Sequence, residues 1–451
     1  MTLPVIADWA RKKGIQLVAT GDWTHPLWIK EIEKDLEETG TGLLKLRTKN
    51  QESKTTNQTS SPLFLLATEI SSIYTQNGKG RRVHTLVWVP NIDSARKIGK
   101  EMTKQGCNLM SDGRPITGLS NIQLADIVFT IEPDALVIPA HAWTPWFSLY
   151  GSMSGFDSIE ESFGEYANQI YAVETGLSSS PAMNWRIKEL DNRSIISCSD
   201  AHSMPKLGRE TTVIKFEARN SKHETLMEHF TYQHLYEAIA GPFKKIKNPK
   251  AEIVYTTEFY PEEGKYHYTG HRSCNVRLTP EAEVKKGSTC SVCGKKLTQG
   301  VMQRVEELAG RSEKDLDLEI VPFPVDEHGK ITVPMTASKT FPNRPPYTML
   351  VPLQEIISEC LEKGVNTKTV VTVYDKLIET LGGEFTILLT SSIDDITEVA
   401  GDRIAQGIDK VRKGKIVVDP GYDGVFGVVK LWRDGEEKPL VDASKEQLSM
   451  F

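Results

Sequence analysis

A chain of 451 residues is long enough for roughly two to four domains, and its 39% hydrophobic and 25% charged residues are ordinary for a globular protein with a sizeable core. Its 54 Lys and Arg against 60 Asp and Glu leave a net charge of −6, so a nucleic-acid partner has to be held by a local basic face and not by the field of the whole molecule. No run approaches the ~18–20 apolar residues of a membrane span, and Met1 to Leu17 carries no signal-peptide pattern, which predicts a cytoplasmic protein without membrane contact.

From Met1 to about Phe216 short β-rich runs alternate with helical segments. Leu17–Thr20, Leu63–Ile70, Thr85–Val89, Ala135–Pro139, Ile170–Val173 and Ser194–Cys198 read as buried strands, and the alternation predicts an α/β layer or barrel. Thr48 to Ser61 is polar and low in complexity and reads as a flexible excursion. His223 to Ala240 has helical spacing with Leu226, Phe230, Leu235 and Ile239 on one stripe, and Gly241-Pro242 ends it at a first boundary. Residues 244–300 hold the clustered cysteines. From Gly300 on, helical patterns dominate over Val301–Ala309, Leu353–Glu362, Thr369–Leu381 and Ile393–Lys413, followed by a β-like tail at Lys415–Val418 and Val425–Leu431 around the turn-rich PGYDG. The expected units are therefore 1–243, 244–300 and 301–451.

Polar residues recur at the strand ends: Asp22 and His25, Glu69, His84, His141, Glu174, and Asp200 with His202. Imidazoles and carboxylates at successive strand ends converge on one mouth of a parallel barrel, where such folds place metals and water. Core packing explains so many of them poorly, because an unpaired buried imidazole or carboxylate costs several kcal/mol. A mixed His/Asp/Glu set suits Zn, Mn or Fe.

Three of the six cysteines cluster, with His271-x2-Cys274 followed after fifteen residues by Cys290-x2-Cys293-Gly294. Two pairs of soft or borderline donors fit a closed, structural zinc site, the glycine letting backbone N–H groups face thiolate sulfur. His271 is the favoured fourth ligand by its spacing to Cys274, and His267 is the alternative.

The motifs TGDWTHPLW, ATEISSIY, RRVH, IPAHAWTPWFS, VETGLSSSPAMNWR, SDAHSMPKLGRE, GHRSC, CSVCGKKLTQGV and PGYDGVFG, spread from about Leu3 to Trp432, resemble endonuclease Q of the polymerase-and-histidinol-phosphatase (PHP) metallophosphoesterases. The resemblance implies a distorted PHP-type α/β barrel, a small zinc module and a mainly helical C-terminal DNA-binding region. It implies a DNA-repair endonuclease that uses metal-activated water to cut on the 5′ side of a deaminated base (uracil, hypoxanthine, xanthine) or abasic site in DNA. By the same resemblance Asp22 or His25, Glu69, His84, His141, Asp200 and His202 hold barrel Zn, Mn or Mg ions, with Asp200, Glu69 and His141 as the catalytic set and Glu69 as the bridging carboxylate. Glu174 orients a ligand or contacts substrate. The family's opening His-x-His strand has no counterpart here, since no two of the ten histidines stand two apart. Either the reading frame starts at an internal methionine or the chain has lost two ligands and one strand, and in both cases the edge near Leu17–Thr20 is expected to lack a neighbour.

Trp143, Trp146 and Trp185 flank these motifs and are candidates for stacking on an extruded base. Lys244, Lys245, Lys247 and Lys250, and Arg403, Lys410, Arg412, Lys413 and Lys415, are candidate phosphate contacts. Ile393 to Val411 faintly resembles a helix–hairpin–helix. Two rival readings are a small-molecule phosphatase on the same barrel and a catalytically impaired DNA-binding protein.

Overall fold

The computed structural model describes residues 2–47, 61–111, 113–217, 226–322, 333–433 and 435–436. The polar excursion at 48–60 and the start of the predicted helix at 223–225 lie outside the described residues. In chain order the strands are β1 (Leu17–Ala19), β2 (Leu36–Glu38), β3 (Leu44–Leu46), β4 (Leu63–Gln76), β5 (Lys79–Val89), β6 (Ile116–Thr117), β7 (Leu136–Pro139), β8 (Ala172–Glu174), β9 (Ser194–Ile196) and β10 (Thr211–Phe216). They continue with β11 (Ala251–Glu258), β12 (Thr269–His271), β13 (Val276–Leu278), β14 (Leu318–Pro322), β15 (Pro334–Ser338), β16 (Tyr347–Met349), β17 (Val417–Asp419) and β18 (Val428–Lys430).

The mixed α/β class holds, but the N-terminal strands do not form the expected all-parallel layer. Gln76 pairs with Lys79 across the two residues Asn77-Gly78, both at positive φ, so β4 and β5 form a long antiparallel hairpin. Asn-Gly is the preferred pair for such a tight turn because both positions need the left-handed region. β7 then adds antiparallel to β5, while β1 and β6 pair parallel with β4. These strands make a seven-stranded mixed sheet with β2 and β3, and β8 and β9 form a separate parallel pair. Among the described residues β1 has β4 as its one strand partner.

Helices cover the apolar faces. Leu3–Lys13 starts with Pro4 in its first turn, ends on Arg11, Lys12 and Lys13, and closes on Gly14 in the left-handed region. Ile92–Lys104 is capped by the Asn91 side chain and Asn121–Ile131 by a Ser120/Gln123 box. The predicted helix after His223 runs from Tyr232 to Lys244, capped by Thr231, and it passes through Gly241-Pro242 instead of stopping there.

Strand pairing also continues across the expected unit boundaries. A five-stranded sheet in the order β10-β11-β16-β15-β14 joins the first unit to the second and third, so the third unit carries three strands besides its helices and tail. Those helices are Val301–Leu308, Leu353–Leu361, Lys368–Leu381, Ile393–Ala400 and Asp402–Arg412, the last two broken apart at Gly401 with φ 88° and ψ 164°. The last four enclose a second core of Leu353, Ile356, Ile357, Tyr374, Ile387, Ile404 and Ile408, whereas Val301 and Val305 of the first pack into the N-terminal core.

Candidate metal centre

Glu69 points from β4 and His84 from the neighbouring β5, and the turn after β7 brings up His141. The Glu69 Oε1 lies 2.7 Å from His84 Nδ1 and 3.3 Å from His141 Nε2, and the two ring nitrogens are 3.0 Å apart. Two imidazole nitrogens and a carboxylate oxygen meeting this closely, within 4.8 Å of one another, offer a ready donor set for a cation. Arg114 Nη1 adds a contact to Glu69 Oε1 at 3.2 Å.

Local backbone geometry puts these groups in place. His141 has φ 30°, Asp22 φ 45° and Asp200 φ 41°, so three of the sequence-predicted residues sit in the strained left-handed region that collects at functional sites. The His141 turn is braced by its N–H donating to Glu174 Oε2 at 2.7 Å and by Ala142 N–H donating to Glu174 O at 3.0 Å. Gly176 packs directly on His141, where any Cβ would collide with the His141 Cβ. Asp200 is held from behind by Arg209, whose Nε donates to Ser199 O at 2.7 Å and whose Nη2 donates to Asp200 O at 2.8 Å.

Electrostatics agree with a cation site. Burial pushes the Glu69 carboxyl up, yet hydrogen bonds from His141 and His84 hold it well below the usual carboxylate range. Burial pulls His84 down, the Glu69 contact notwithstanding. Burial also opposes charge on His141, but Glu69, Glu174 and Asp200 raise its pKa overall. Glu174 is pushed up to about 7, chiefly by burial.

The remaining predicted residues are spread around this core. A cleft of about 1120 Å³ is lined by β1, Asp22, Glu69, His141, Glu174, Asp200 and His202 among others. A second cavity of about 610 Å³ is bounded by His84, His141, Asp200, Trp146 and Tyr266 among others. Asp22 and Asp200 thus border the centre, whereas His202 is 75% exposed with Nδ1 3.0 Å from Asp200 O. His25 is directed elsewhere: its Nδ1 accepts from Leu27 N–H at 3.3 Å. Between Asp22 and His25, it is Asp22 that borders the cleft.

Several residues proposed for substrate contact have other positions. Trp143 is 0% exposed and its indole N–H donates to Asn184 Oδ1 at 2.8 Å, so no base can reach it. Trp185 is equally buried, against Tyr347. Arg412 is buried and donates to the carbonyls of Leu388, Ile387 and Ser391, closing a helical loop instead of facing DNA. Arg403, Lys410 and Lys413 are ion-paired with Glu362, Glu436 and Asp409. Lys244 lies over the Tyr171 and Tyr236 rings, and Lys245 is exposed at the helix end in the left-handed region. Half-buried Trp146 does face the second cavity. Sequence reasoning missed Arg114 and Arg209: Arg209 stands inside SDAHSMPKLGRE, Arg114 lies outside every quoted motif, and neither side chain carries metal-ligand chemistry.

The second donor group is compact. His271, Cys274, Cys290 and Cys293 offer four ligand atoms within 4.8 Å of one another, and Cys293 Sγ is 3.4 Å from His271 Nδ1. Tetrahedral zinc with ordinary bond lengths separates such a sulfur and nitrogen by about 3.5 Å, so the donors fit that ion. Burial pushes the Cys290 thiol up, but N–H groups of Cys293 and Val292 and the His271 ring bring it down to about 6. His267 is buried and stands outside this donor set, so His271 is the histidine of the group.

Residues 352–415 match the family model described as the MJ0043 C-terminal domain. The uncharacterized protein MJ0043 of Methanocaldococcus jannaschii is 32% identical over 291 residues, a match that covers 64% of this chain and 31% of that protein. The uncharacterized protein YqxK of Bacillus subtilis is 27% identical over 434 residues, covering 94% of this chain and 91% of its own. Among solved structures, the lesion-specific endonuclease PfuEndoQ of Pyrococcus furiosus superposes with a TM-score of 0.73 at 28% identity, over 95% of this chain and 90% of that one. Endonuclease Q bound to a 27-mer duplex with an abasic lesion at its active site does so with the same TM-score and identity, over 96% and 92%. Over nearly its whole length, in backbone path and in sequence, this chain is similar to endonuclease Q.

Proposed function

We propose that the protein is a metal-dependent DNA-repair endonuclease that hydrolyses the phosphodiester 5′ to an abasic or deaminated nucleotide. The observation that carries this reading is the convergence of Glu69, His84 and His141, the two histidines bordering a cavity that aromatic and basic side chains complete. The similarity to an endonuclease Q solved with a lesion-bearing duplex supports it.

Glu69, His84, His141, Asp22 and Asp200 are the residues that would hold divalent ions. Such ions, when bound, polarise the phosphate and activate water for attack on phosphorus. The chain's own groups do the rest. Glu174 keeps the His141 turn in place, Arg209 anchors Asp200, and Arg114 holds the Glu69 carboxylate so that its lone pairs stay aimed at the centre. Arg82 and Lys265 supply positive charge beside the cavity for the backbone phosphates. The Cys/His group would bind a structural zinc that stabilises the 271–293 region.

A small-molecule phosphatase would use the same donors. The separating experiment compares hydrolysis of a phosphate monoester with nicking of a duplex carrying one abasic site or one uracil, each with added Mn, Mg or Zn. Nicking at the lesion with negligible monoester turnover is the expected result; monoester turnover without nicking would overturn the proposal.

A further inference from the structure

The PGYDGVFG segment has no part in the chemistry above, yet it is built with unusual care. Gly421 N–H donates to Glu262 O at 2.8 Å, Gly424 N–H to Lys265 O at 2.9 Å and Gly427 N–H to Glu263 O at 3.0 Å, while Tyr268 N–H donates back to Gly421 O at 3.0 Å. The Asp423 carboxylate accepts from Arg272 N–H at 2.7 Å and Tyr422 O–H donates to Asn275 at 2.6 Å. A Cβ on Gly427 would fall inside the Glu262 carbonyl, so only glycine lets the two segments lie this close. The loop is therefore a rigid platform, not a mobile tip.

What it presents is Phe426, 66% exposed, flanked by exposed Val425 and Val428. Lys265 Nζ stands 4.5 Å from the ring centroid. Phe426 also borders the 610 Å³ cavity whose other walls include His84, His141, Trp146 and Tyr266, the last two rings meeting edge to face at 5.4 Å. An aromatic side chain held out in water by a rigid loop forgoes its own burial, and the neighbouring Lys265, Arg82 and Arg272 favour a polyanion as the partner that covers it. The cavity volume lies in the range that accepts one small molecule or one nucleotide.

Resting on the nuclease reading, we propose that Phe426 enters the base stack of a bound duplex and keeps the cleavage-site nucleotide out of it, while that nucleotide sits in the cavity that Trp146 and Tyr266 help to line. Apolar side chains that wedge between base steps unstack them in this way. Phe426 is a positioning residue: it touches neither the scissile phosphate nor the metal donors.

The test uses the full chain with a duplex containing one uracil next to 2-aminopurine, and the same strand without its complement. In the Asp200→Ala background binding should raise 2-aminopurine fluorescence, and adding Phe426→Ala should remove the rise while Phe426→Leu restores part of it. In the active protein Phe426→Ala should slow nicking of the duplex about tenfold more than nicking of the single strand, since only the duplex has pairing to break and its stacking is the stronger. Equal slowing on both strands, or a fluorescence rise independent of Phe426, would overturn the proposal. Unstacking without any nicking by the parent would remove the nuclease reading and leave the wedge; nicking of the duplex at parental rate by Phe426→Ala would do the reverse.

Discussion

Glu69 has the most concentrated set of contacts at the centre, with two imidazoles and a guanidinium on one carboxylate oxygen. Glu69→Gln keeps the shape but removes the charge that divalent ions need. We expect metal binding at the Glu69 centre and nicking to fall together by about a hundredfold or more, measured as metal content by mass spectrometry and as initial rate, with zinc at the Cys/His group retained. A second test lies behind the site. Glu258, fully buried, is pushed up to about 8, first by burial and then by the neighbouring Glu174 charge, against the pull of Ser197, Thr256 and Thr175 hydroxyls. Its folded value exceeds the ordinary 4.5, so the stability it contributes is complete below pH 4.5 and is lost as pH rises through about 8. Glu258→Gln should flatten that part of the curve of melting temperature against pH. An unchanged slope would place the titration elsewhere. The individual donors were legible because His, Asp and Glu carry their chemistry in the sequence. That His25 turns to Leu27 N–H and Trp143 to Asn184 was not, because those partners are set by local packing.

At the scale of elements, most strand positions could be read from apolar runs, but their direction could not without weighing the Asn77-Gly78 turn. That pair is the strongest short hairpin signal, and it makes β4 and β5 antiparallel. Gly241-Pro242 misled in the opposite sense: the proline lies within the last helical turn, and the helix ends instead at Lys244, capped by Lys245 in the left-handed region. The Cys/His group was readable because its ligands are paired in sequence. Its small apolar surround, Leu278, Cys290 and Leu297, is too limited to order the region alone. Cys290→Ser should therefore lower zinc content by about one ion per chain and lower the melting temperature by several degrees. Equal zinc and equal stability would refute the site.

Across the whole molecule, distant segments are joined by buried polar contacts that no local pattern announces. Lys13, at the end of the first helix, meets Glu384 at 2.6 Å with both side chains almost wholly buried, and Glu384 also accepts from Tyr374 O–H at 2.9 Å and Leu353 N–H at 3.0 Å. Breaking such a pair from one side costs about 3–5 kcal/mol. Urea denaturation should show that much for Lys13→Met and more for Glu384→Ala, which strands two further donors; losses below about 1 kcal/mol would contradict this link. Arg186 and Glu306 make a similar bidentate bridge at 2.7 Å between the first unit and the Val301–Leu308 helix. These joints tie the first unit, which carries the metal donors, to the helical segments that follow it, and His84, His141, Asp200 and Phe426 border one cavity surface. The most direct measurement of what that surface does is a denaturing-gel assay of a lesion-bearing duplex, with metal-stripped protein and with Mn, Mg or Zn restored, for the parent and Asp200→Ala. The account predicts a single nick beside the lesion, present only with metal and only in the parent; cutting that is independent of added metal or indifferent to Asp200→Ala would contradict it.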